Sequence, residues 1–259
     1  MHSLHSPFLF PFLFPFLTPF PFLLSFLLSL PFLGFAQGDL ATDRPSESAA
    51  ATLLPEGVSR GEFGGWMNWV EAESGAVDFG FAAPLGVLRY GLSPAFELRA
   101  GAQFNVQVGE VDNALLGAKL KLPGDFWGEM DACWLAEFNV NPNAGWRPGT
   151  PVPMQHRLCL GTAMGHDWAV TANAGWLRNA GQNNWMASCA ITRTLGLQGW
   201  SGFVEPFIYS DSPVFLNLGF QRQLPKAMQC DVVFGRNLGG PASDFTVGLG
   251  LSLTLSEKS

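Results

Sequence analysis

Charged residues are scarce in this sequence. They make up 14% of the 259 residues, and 14 Lys and Arg are outnumbered by 21 Asp and Glu. The resulting formal net charge of −7 argues against nucleic-acid binding, which requires a basic face. After residue 36 there is also no apolar run of roughly 18 residues, the length that a membrane-crossing helix needs. The sequence therefore predicts neither a nucleic-acid partner nor a transmembrane helix in residues 37–259.

The first 36 residues are rich in Phe and Leu and are interrupted by proline at short intervals. Gly34 and Ala36 fit the small-residue positions of a signal-peptidase site, although the n-region carries only His2 and His5 in place of Lys or Arg. A transmembrane anchor is the alternative, but only residues 22–30 are free of the helix-breaking prolines, which is too short a span. We expect 1–36 to be a cleaved signal peptide for Sec export, 37–57 an irregular leader, and 58–259 the folded domain.

Alternation of apolar and polar residues dominates the rest of the chain. Between Phe96 and Val108 every even position is apolar, and the odd positions are Glu, Arg, Gly, Gln and Asn. Successive strand residues point to opposite faces, so this is one oily and one polar ribbon. It is longer than the usual strand of about five to six residues and suits a tilted strand that crosses a membrane.

The same pattern predicts twelve strands. We place them at 60–70, 78–91, 95–108, 113–122, 129–140, 155–165, 167–178, 184–194, 200–209, 213–224, 227–236 and 244–255, with no face assigned in 60–70 and 200–209. Short connections alternate with longer ones rich in Asn, Gly and Pro, which is typical of an up-and-down antiparallel outer-membrane β-barrel. Trp168 and Trp176 are then about 20 Å apart along the membrane normal, close to the spacing of two aromatic girdles.

The orientation of the ribbons separates two all-β interpretations. In a soluble periplasmic barrel the oily ribbons would form the core and the polar ribbons the surface. The polar ribbons here consist mainly of Gly, Ser, Thr, Asn and Gln with few charges. That composition favours a membrane barrel, with lipid outside and a polar lumen inside.

The few charges on the polar ribbons predict a lumen site. Pairing across the connections sets Arg89 opposite Arg99, with Glu97 diagonal to Arg89. It sets Arg99 roughly opposite Lys121, and Lys121 opposite Asp131, in a register that a slip of two residues would alter. The predicted belt and the carboxylates that balance it are Arg89, Arg99, Lys119 and Lys121 with Glu97, Asp131 and Glu137. Two roles remain open: cross-strand pairing that holds the wall together, or a basic constriction that favours anions or carboxylated aromatics.

The leader offers a second set of charges. Asp43, Arg44 and Glu47 could pair with the belt if the leader enters the lumen, since a twelve-strand barrel is wider than an eight-strand barrel that its own side chains fill. A disordered periplasmic tail is the alternative.

Three segments resemble a known family. TDRPSES at Thr42–Ser48 followed by LLPEG, LRYGLSPAFELRAG at Leu88–Gly101, and GAKLKL at Gly117–Leu122 are similar to motifs of outer-membrane transporter barrels grouped with the meta-pathway of phenol degradation. The resemblance marks Thr42, Asp43, Arg44, Pro45 and Glu47 as leader-motif residues. It implies an outer-membrane barrel that moves small, aromatic molecules. The last strand ends in Leu255 and SEKS instead of the family's aromatic terminus, which is the signal that the assembly machinery reads.

Catalytic and metal-binding patterns are missing. There is no G-x-S-x-G motif, and His156 on an oily face and His166 in a turn leave no inward histidine for a Ser–His–acid site. An outer-membrane lipid hydrolase is therefore a weak alternative, and we expect no enzyme. Cys133, Cys159, Cys189 and Cys230 lie in four different predicted strands without C-x-x-C spacing, which predicts no zinc site or cofactor and favours small buried or lipid-facing thiols over disulfides.

The function predicted from these features is a pore or transporter for small molecules, aromatic or anionic, in the bacterial outer membrane. Its expected partners are membrane lipids and the outer-membrane assembly machinery. A closed barrel with a structural or surface-binding role, and a soluble ligand-binding barrel, are the alternatives.

Overall fold

Alternating strands account for nearly all of the structure. The computed structural model describes residue 43 and residues 47–71, 74–105, 109–124, 130–140, 153–179, 182–197, 199–210, 212–225, 227–241 and 244–256. The strands are β1 Ser59–Glu71, β2 Val77–Ser93, β3 Phe96–Asn105, β4 Glu110–Lys121, β5 Asp131–Val140, β6 Met154–Met164, β7 Trp168–Asn179, β8 Gln182–Thr194, β9 Trp200–Tyr209, β10 Phe215–Leu224, β11 Met228–Asn237 and β12 Phe245–Ser256. In the described part of the chain, no helix is long and apolar enough to cross a membrane.

The twelve strands close into one antiparallel barrel in sequence order. The first and last strands complete it, with a ladder that runs from the Ser59–Ser256 pair to the Trp69–Phe245 pair. Closure leaves neither β1 nor β12 as an open edge, so their backbone groups hydrogen-bond each other. This confirms the predicted twelve-strand, up-and-down, all-β barrel.

Two rims follow from this topology. The turn rim carries the connections at 94–95, 122–130, 165–167, 195–199 and 225–227, together with the start of β1 and the end of β12. The loop rim carries the other connections, of which 141–153 is the longest. Gly165 and Gly199 have positive φ at turn-rim connections, where a residue without Cβ is needed.

The oily ribbons face outward. Leu98, Leu116 and Trp134 are 43%, 65% and 40% exposed, whereas their inward neighbours Glu97 and Lys119 are completely buried. Polar groups thus fill the interior, and large apolar side chains cover the outside, which is the arrangement of a barrel in lipid. The soluble-barrel interpretation does not fit this distribution.

The predicted register was partly wrong. Arg89 does lie opposite Arg99. Arg99, however, lies opposite Gly117 rather than Lys121, and Lys121 lies opposite Cys133 rather than Asp131. Both slips are by an even number of residues, so Arg99, Lys121 and the residues paired with them keep their predicted faces.

Small differences also occur at strand ends. The strand predicted at 95–108 runs from Phe96 to Asn105, and residues 106–108 lie outside the described residues. The strand predicted from residue 213 begins at Phe215.

Candidate functional site

In its described residues, Asp43 and 47–57, the leader lies inside the barrel. Ser48, Ala49, Ala51 and Leu54 are at most 5% exposed. From the turn rim it runs across the lumen and contacts inward side chains of every strand from β1 to β9. Those side chains include Glu62, Arg89, Glu97, Lys119, Cys133, Arg157, Asn173, Ser188 and Glu205.

An apolar patch seats the middle of the leader. Ala49 and Ala51 pack against Cys133, Leu135 and Cys159 of β5 and β6, and all of these residues are buried. Gly161, two residues after Cys159 on the same face of β6, leaves room for Ala51, because a Cβ at this position would lie only 3.0 Å from the Ala51 Cβ. The inner wall is therefore not polar throughout, and its apolar part is where the leader rests.

Asp43 is the centre of the ionic contacts. Its carboxylate accepts hydrogen bonds from Arg99 and, at 2.6 Å, from Lys119 Nζ, and it lies 3.6 Å from Arg89 Nη1. The same carboxylate accepts the Ala50 amide at 2.8 Å, which folds the leader back on itself. Burial alone would raise the pKa of Asp43, but these three cations hold it well below the ordinary value.

Arg89 connects the wall to that centre. Its guanidinium makes two hydrogen bonds to Glu97, at 2.8 and 2.9 Å, and a third to Glu62 at 2.7 Å. Glu97 in turn accepts the Leu54 amide at 2.9 Å. The bidentate pair fixes the position of Glu97, and Glu97 fixes the leader where it enters the lumen.

A second group of contacts holds the leader at Glu47 and Ser48. Glu205 accepts both of their backbone amides, at 2.8 and 2.7 Å, and Arg157 Nη1 donates to the Glu47 carbonyl at 2.8 Å. The Tyr209 hydroxyl donates to the Glu47 carboxylate at 2.5 Å. These contacts come from the wall opposite to the one that binds Asp43.

Asn173 binds the next residue of the leader. Its amide accepts the Ala49 N–H at 2.8 Å and donates to the Ala49 carbonyl at 3.0 Å. Such a pairing imitates one rung of a β-ladder with a side chain, so it orients the leader backbone as well as binding it.

Glu137 and Gln155 join the two groups of contacts. Arg99 Nε lies 2.8 Å from Glu137 Oε1 as an ion pair whose geometry is not that of a hydrogen bond. Gln155 donates to Glu137 and accepts a hydrogen bond from Arg157 at 2.9 Å. A continuous polar chain thus runs across the inner faces of β3, β5 and β6.

The predicted site residues separate into two sets. Arg89, Glu97, Arg99, Lys119 and Glu137 converge with Asp43 of the leader, whereas Glu47, predicted to pair with the belt, pairs with Arg157 of β6 instead. Lys121 and Asp131 are exposed at the turn rim and take no part in these ion pairs. Thr42, Arg44 and Pro45 lie outside the described residues.

Sequence reasoning missed Glu62, Arg157, Asn173, Glu205 and Tyr209. Glu62 and Glu205 lie in the two strands whose faces the alternation did not assign. The inward orientation of Arg157 could be predicted from the sequence, because its neighbour His156 lies on the oily face and successive strand residues alternate between faces.

Aromatic rings also face the lumen, beside Glu47. Phe207 and Phe215 stack at 5.0 Å between ring centroids, and Tyr209 meets Phe207 edge-on at 6.1 Å. These rings and the ion pairs adjoin each other on the inner wall, so the lumen presents an apolar and a charged surface side by side.

His156 faces outward as predicted. Its ring lies between Trp134 and Trp176, at 5.3 and 5.1 Å between centroids. No group of three or more His, Cys, Asp or Glu in the described residues could hold a metal ion.

Comparison with known proteins identifies the fold. No family model and no curated protein matches the sequence. Among solved structures, the KdgM porin is similar with a TM-score of 0.56 at 9% identity, over 76% of this chain and 99% of that one. The same porin in complex with disordered oligogalacturonate gives a TM-score of 0.57 at 9% identity over the same shares.

A third structure covers more of the chain. The COG4313 outer membrane channel from Pseudomonas putida F1 has a TM-score of 0.53 at 13% identity, over 86% of this chain and 100% of that one. The fold is therefore that of outer-membrane channel barrels.

Proposed function

We propose that this protein is a pore or transporter for small aromatic or anionic molecules in the bacterial outer membrane. The observation that carries the proposal is the combination of an oily outer face with a charged inner face on one closed barrel. Such a wall is stable only when lipid lies outside and a polar interior lies inside. We infer no enzymatic activity, because the inner wall uses its charges to hold the leader.

The substrate class follows from the two surfaces of the lumen. Phe207, Phe215 and Tyr209 offer ring faces and edges on which an aromatic molecule could stack. Beside them, the guanidinium of Arg157, which binds Glu47 while the leader is docked, becomes available to an acidic group when Glu47 withdraws. The KdgM porin in complex with disordered oligogalacturonate, a carboxylated ligand, is a precedent in a similar fold.

We propose that three of the four belt residues, Arg89, Arg99 and Lys119, serve to anchor the leader. Arg89, Arg99 and Lys119 are all occupied by carboxylates of the wall and by Asp43. Their positive charge is therefore balanced while the leader is docked, and it becomes available to an anion only when Asp43 withdraws. Thr42, Arg44 and Pro45 of the leader motif belong to the same anchored segment in this proposal.

Single-channel conductance in a planar bilayer tests the function. The variant Asp43→Asn with Glu47→Gln weakens both attachments of the leader, so we expect a conductance larger than that of the wild type. Lys121→Gln is the matched control, because it removes a charge at the rim that contacts no leader residue in the described part of the chain. If neither the wild type nor the leader variant conducts, the pore proposal is wrong.

A closed structural barrel is the second candidate. It is favoured by the extent of the leader's contacts, which reach inward side chains from β1 to β9. A leader variant that folds normally and still does not conduct would support this candidate over the pore.

Export and assembly complete the proposal. We propose that residues 1–36 are removed as a signal peptide after Sec export, and that the assembly machinery inserts residues 58–259 with the leader 37–57 inside. Heat-modifiable mobility on a gel, from an outer-membrane fraction, is the expected result. Recovery in the soluble periplasmic fraction would contradict it.

A further inference from the structure

Two cysteines face each other inside the barrel wall. Cys133 of β5 and Cys159 of β6 are directly opposed partners in the strand register. Both are inward and completely buried, and their side chains lie close enough to interact with each other. The structure carries both as free thiols.

The Cα separation of the two cysteines fits a disulfide. On the same pair of strands the Asn139 amide donates to the Pro153 carbonyl at 2.9 Å, so the odd-numbered residues of β5 are in hydrogen-bonded pairs. Directly opposed residues of this type have Cα atoms about 5.5 Å apart. That separation lies within the range of about 4.4–6.8 Å that a disulfide spans. The Cβ atoms of the two cysteines, which are about 5.5 Å apart in such a pair, must approach by about 1 Å to form the bond.

We propose that Cys133 and Cys159 form a cross-strand disulfide in the exported protein, an inference that rests on the outer-membrane location proposed above. The oxidant is the disulfide of a thiol oxidase of the bacterial periplasm, where structural disulfides persist. One cysteine thiolate attacks that disulfide, and the second displaces the oxidase from the mixed intermediate. The two cysteines lose two electrons and two protons, and the oxidase is released as a dithiol.

The disulfide would stabilise the β5–β6 hairpin, whose closure has the largest entropic cost of the hairpins in the barrel. The β5–β6 connection, residues 141–153, is the longest in the barrel, and closure of a longer loop loses more chain entropy. A covalent link between the two strands lowers the entropy of the unfolded chain, so less chain entropy is lost when the hairpin folds. It also leaves a compact, apolar sulfur surface beneath Ala49 and Ala51.

The leader does not depend on the two thiol hydrogens. Cys133 Sγ donates to the Ala50 carbonyl at 3.7 Å, but Lys119 Nζ donates to the same carbonyl at 2.9 Å. Cys159 Sγ donates to Asn173 at 3.6 Å, and Asn173 keeps both of its hydrogen bonds to Ala49 without it. Oxidation is therefore compatible with the docked leader.

The chain supplies its own control pair. Cys189 and Cys230 lie on β8 and β11, which are not neighbours in the barrel. These two cannot bond to each other in the folded protein, so they remain thiols.

Because Cys133 and Cys159 have no solvent exposure, their bond forms before the barrel closes and afterwards resists reductants until the protein is unfolded.

The experiment is thiol mapping of the full-length protein isolated from outer membranes. Cells are lysed in an alkylating agent, the membrane fraction is denatured without reductant in the same agent, and the peptides are analysed by mass spectrometry. We expect alkylation at Cys189 and Cys230 only, with a Cys133–Cys159 linked peptide lighter than the two thiol peptides by two hydrogen atoms. In Cys133→Ser with Cys159→Ser, the linked peptide should be absent and the other two sites unchanged.

The outcomes are distinct from those of the conductance test. Alkylation at all four cysteines, or a linked peptide that joins either residue to Cys189 or Cys230, overturns the disulfide. Four free thiols in a conducting, membrane-located barrel would overturn the disulfide alone. A linked peptide in a barrel that never conducts would leave the disulfide standing and remove the pore.

Discussion

At the scale of single residues, buried charge is the main feature of this protein. Arg89 is completely buried and binds Glu97 and Glu62, and it lies near Asp43. Taking a charge out of water is costly unless it is paired, and removing one partner leaves the others uncompensated. The stability of the inner wall should therefore depend on a few such groups.

Arg89→Gln tests this dependence. It removes the guanidinium to which the buried carboxylates of Glu62 and Glu97 hydrogen-bond, and we expect a loss of about 3–5 kcal/mol in the free energy of unfolding. Arg193→Gln is the matched control. This exposed, outward arginine lies over the Trp168 ring, 5.0 Å from its centroid, and its loss should cost no more than about 1 kcal/mol. Urea-induced unfolding in detergent measures both. Equal losses would contradict the importance of burial.

The carboxyl of Asp43 predicts a pH dependence. Burial opposes its ionisation, but Arg89, Lys119 and Arg99 outweigh burial and lower its pKa well below the ordinary value. An unperturbed Asp has a pKa of about 4. Because the pKa of Asp43 is lower than this in the docked state, its charge stabilises the docked leader fully above about pH 4. The stabilisation is lost as the pH falls from there toward the lowered pKa. Hydrogen exchange of residues 43–55, corrected for the intrinsic effect of pH, should therefore stay slow until the acid range is reached.

Asp43→Asn is the control for that measurement. It should exchange faster at neutral pH and show no acid step of its own. A transition of the wild type centred well above about pH 4 would assign the effect to another group.

At the scale of elements, the leader is held by backbone fit as well as by charge. Gly57 donates its amide to the Gly91 carbonyl at 2.8 Å, and the Gly91 amide donates to the Val58 carbonyl at 3.0 Å. A Cβ on Gly91 would lie 2.1 Å from the Pro55 carbonyl oxygen, which is a steric clash. The end of the leader thus passes β2 so closely that only glycine fits there.

Gly91→Ala should displace the leader and leave the barrel intact. The new methyl group meets backbone atoms of Leu54 and Pro55, which cannot move without shifting the leader. Limited proteolysis with mass spectrometry should then show cleavage within residues 43–57 at protease levels that spare the wild type. Gly80→Ala, also in β2, meets nothing within 4 Å and should behave as the wild type. Equal protection of the leader in both variants would mean that its path is not set at Gly91.

At the scale of the whole molecule, the two faces of the wall have opposite solvents. Leu116 at the middle of β4 is 65% exposed, while Lys119 on the other face is completely buried. One sheet can hold both only if lipid surrounds it. The barrel and the described part of the leader are therefore a single unit, in which the inward charged side chains bind the leader and the outward apolar side chains contact lipid.

Leu116→Arg tests the outward orientation. An arginine on the lipid face near the bilayer midplane costs about 2–4 kcal/mol, so the variant should refold into vesicles at a correspondingly lower urea concentration. Leu116→Phe, which keeps the position apolar, should refold like the wild type. Indistinguishable refolding of the two variants would show that Leu116 does not face lipid.

The sequence by itself determined the strands and their faces, because the period of two survives an even slip in register. Lys119 therefore lies inside and Trp134 outside, as the alternation predicts, although the partners of Arg99 and Lys121 differ from the predicted ones. Only the tertiary structure decided which charges meet. Asp43 is 76 residues from Lys119, and Glu47 is 158 from Glu205, so their contacts depend on barrel closure and on the path of the leader, and no local pattern records either. For the same reason no sequence pattern predicts that Cys133 and Cys159 lie opposite each other, because only the register of β5 and β6 decides this.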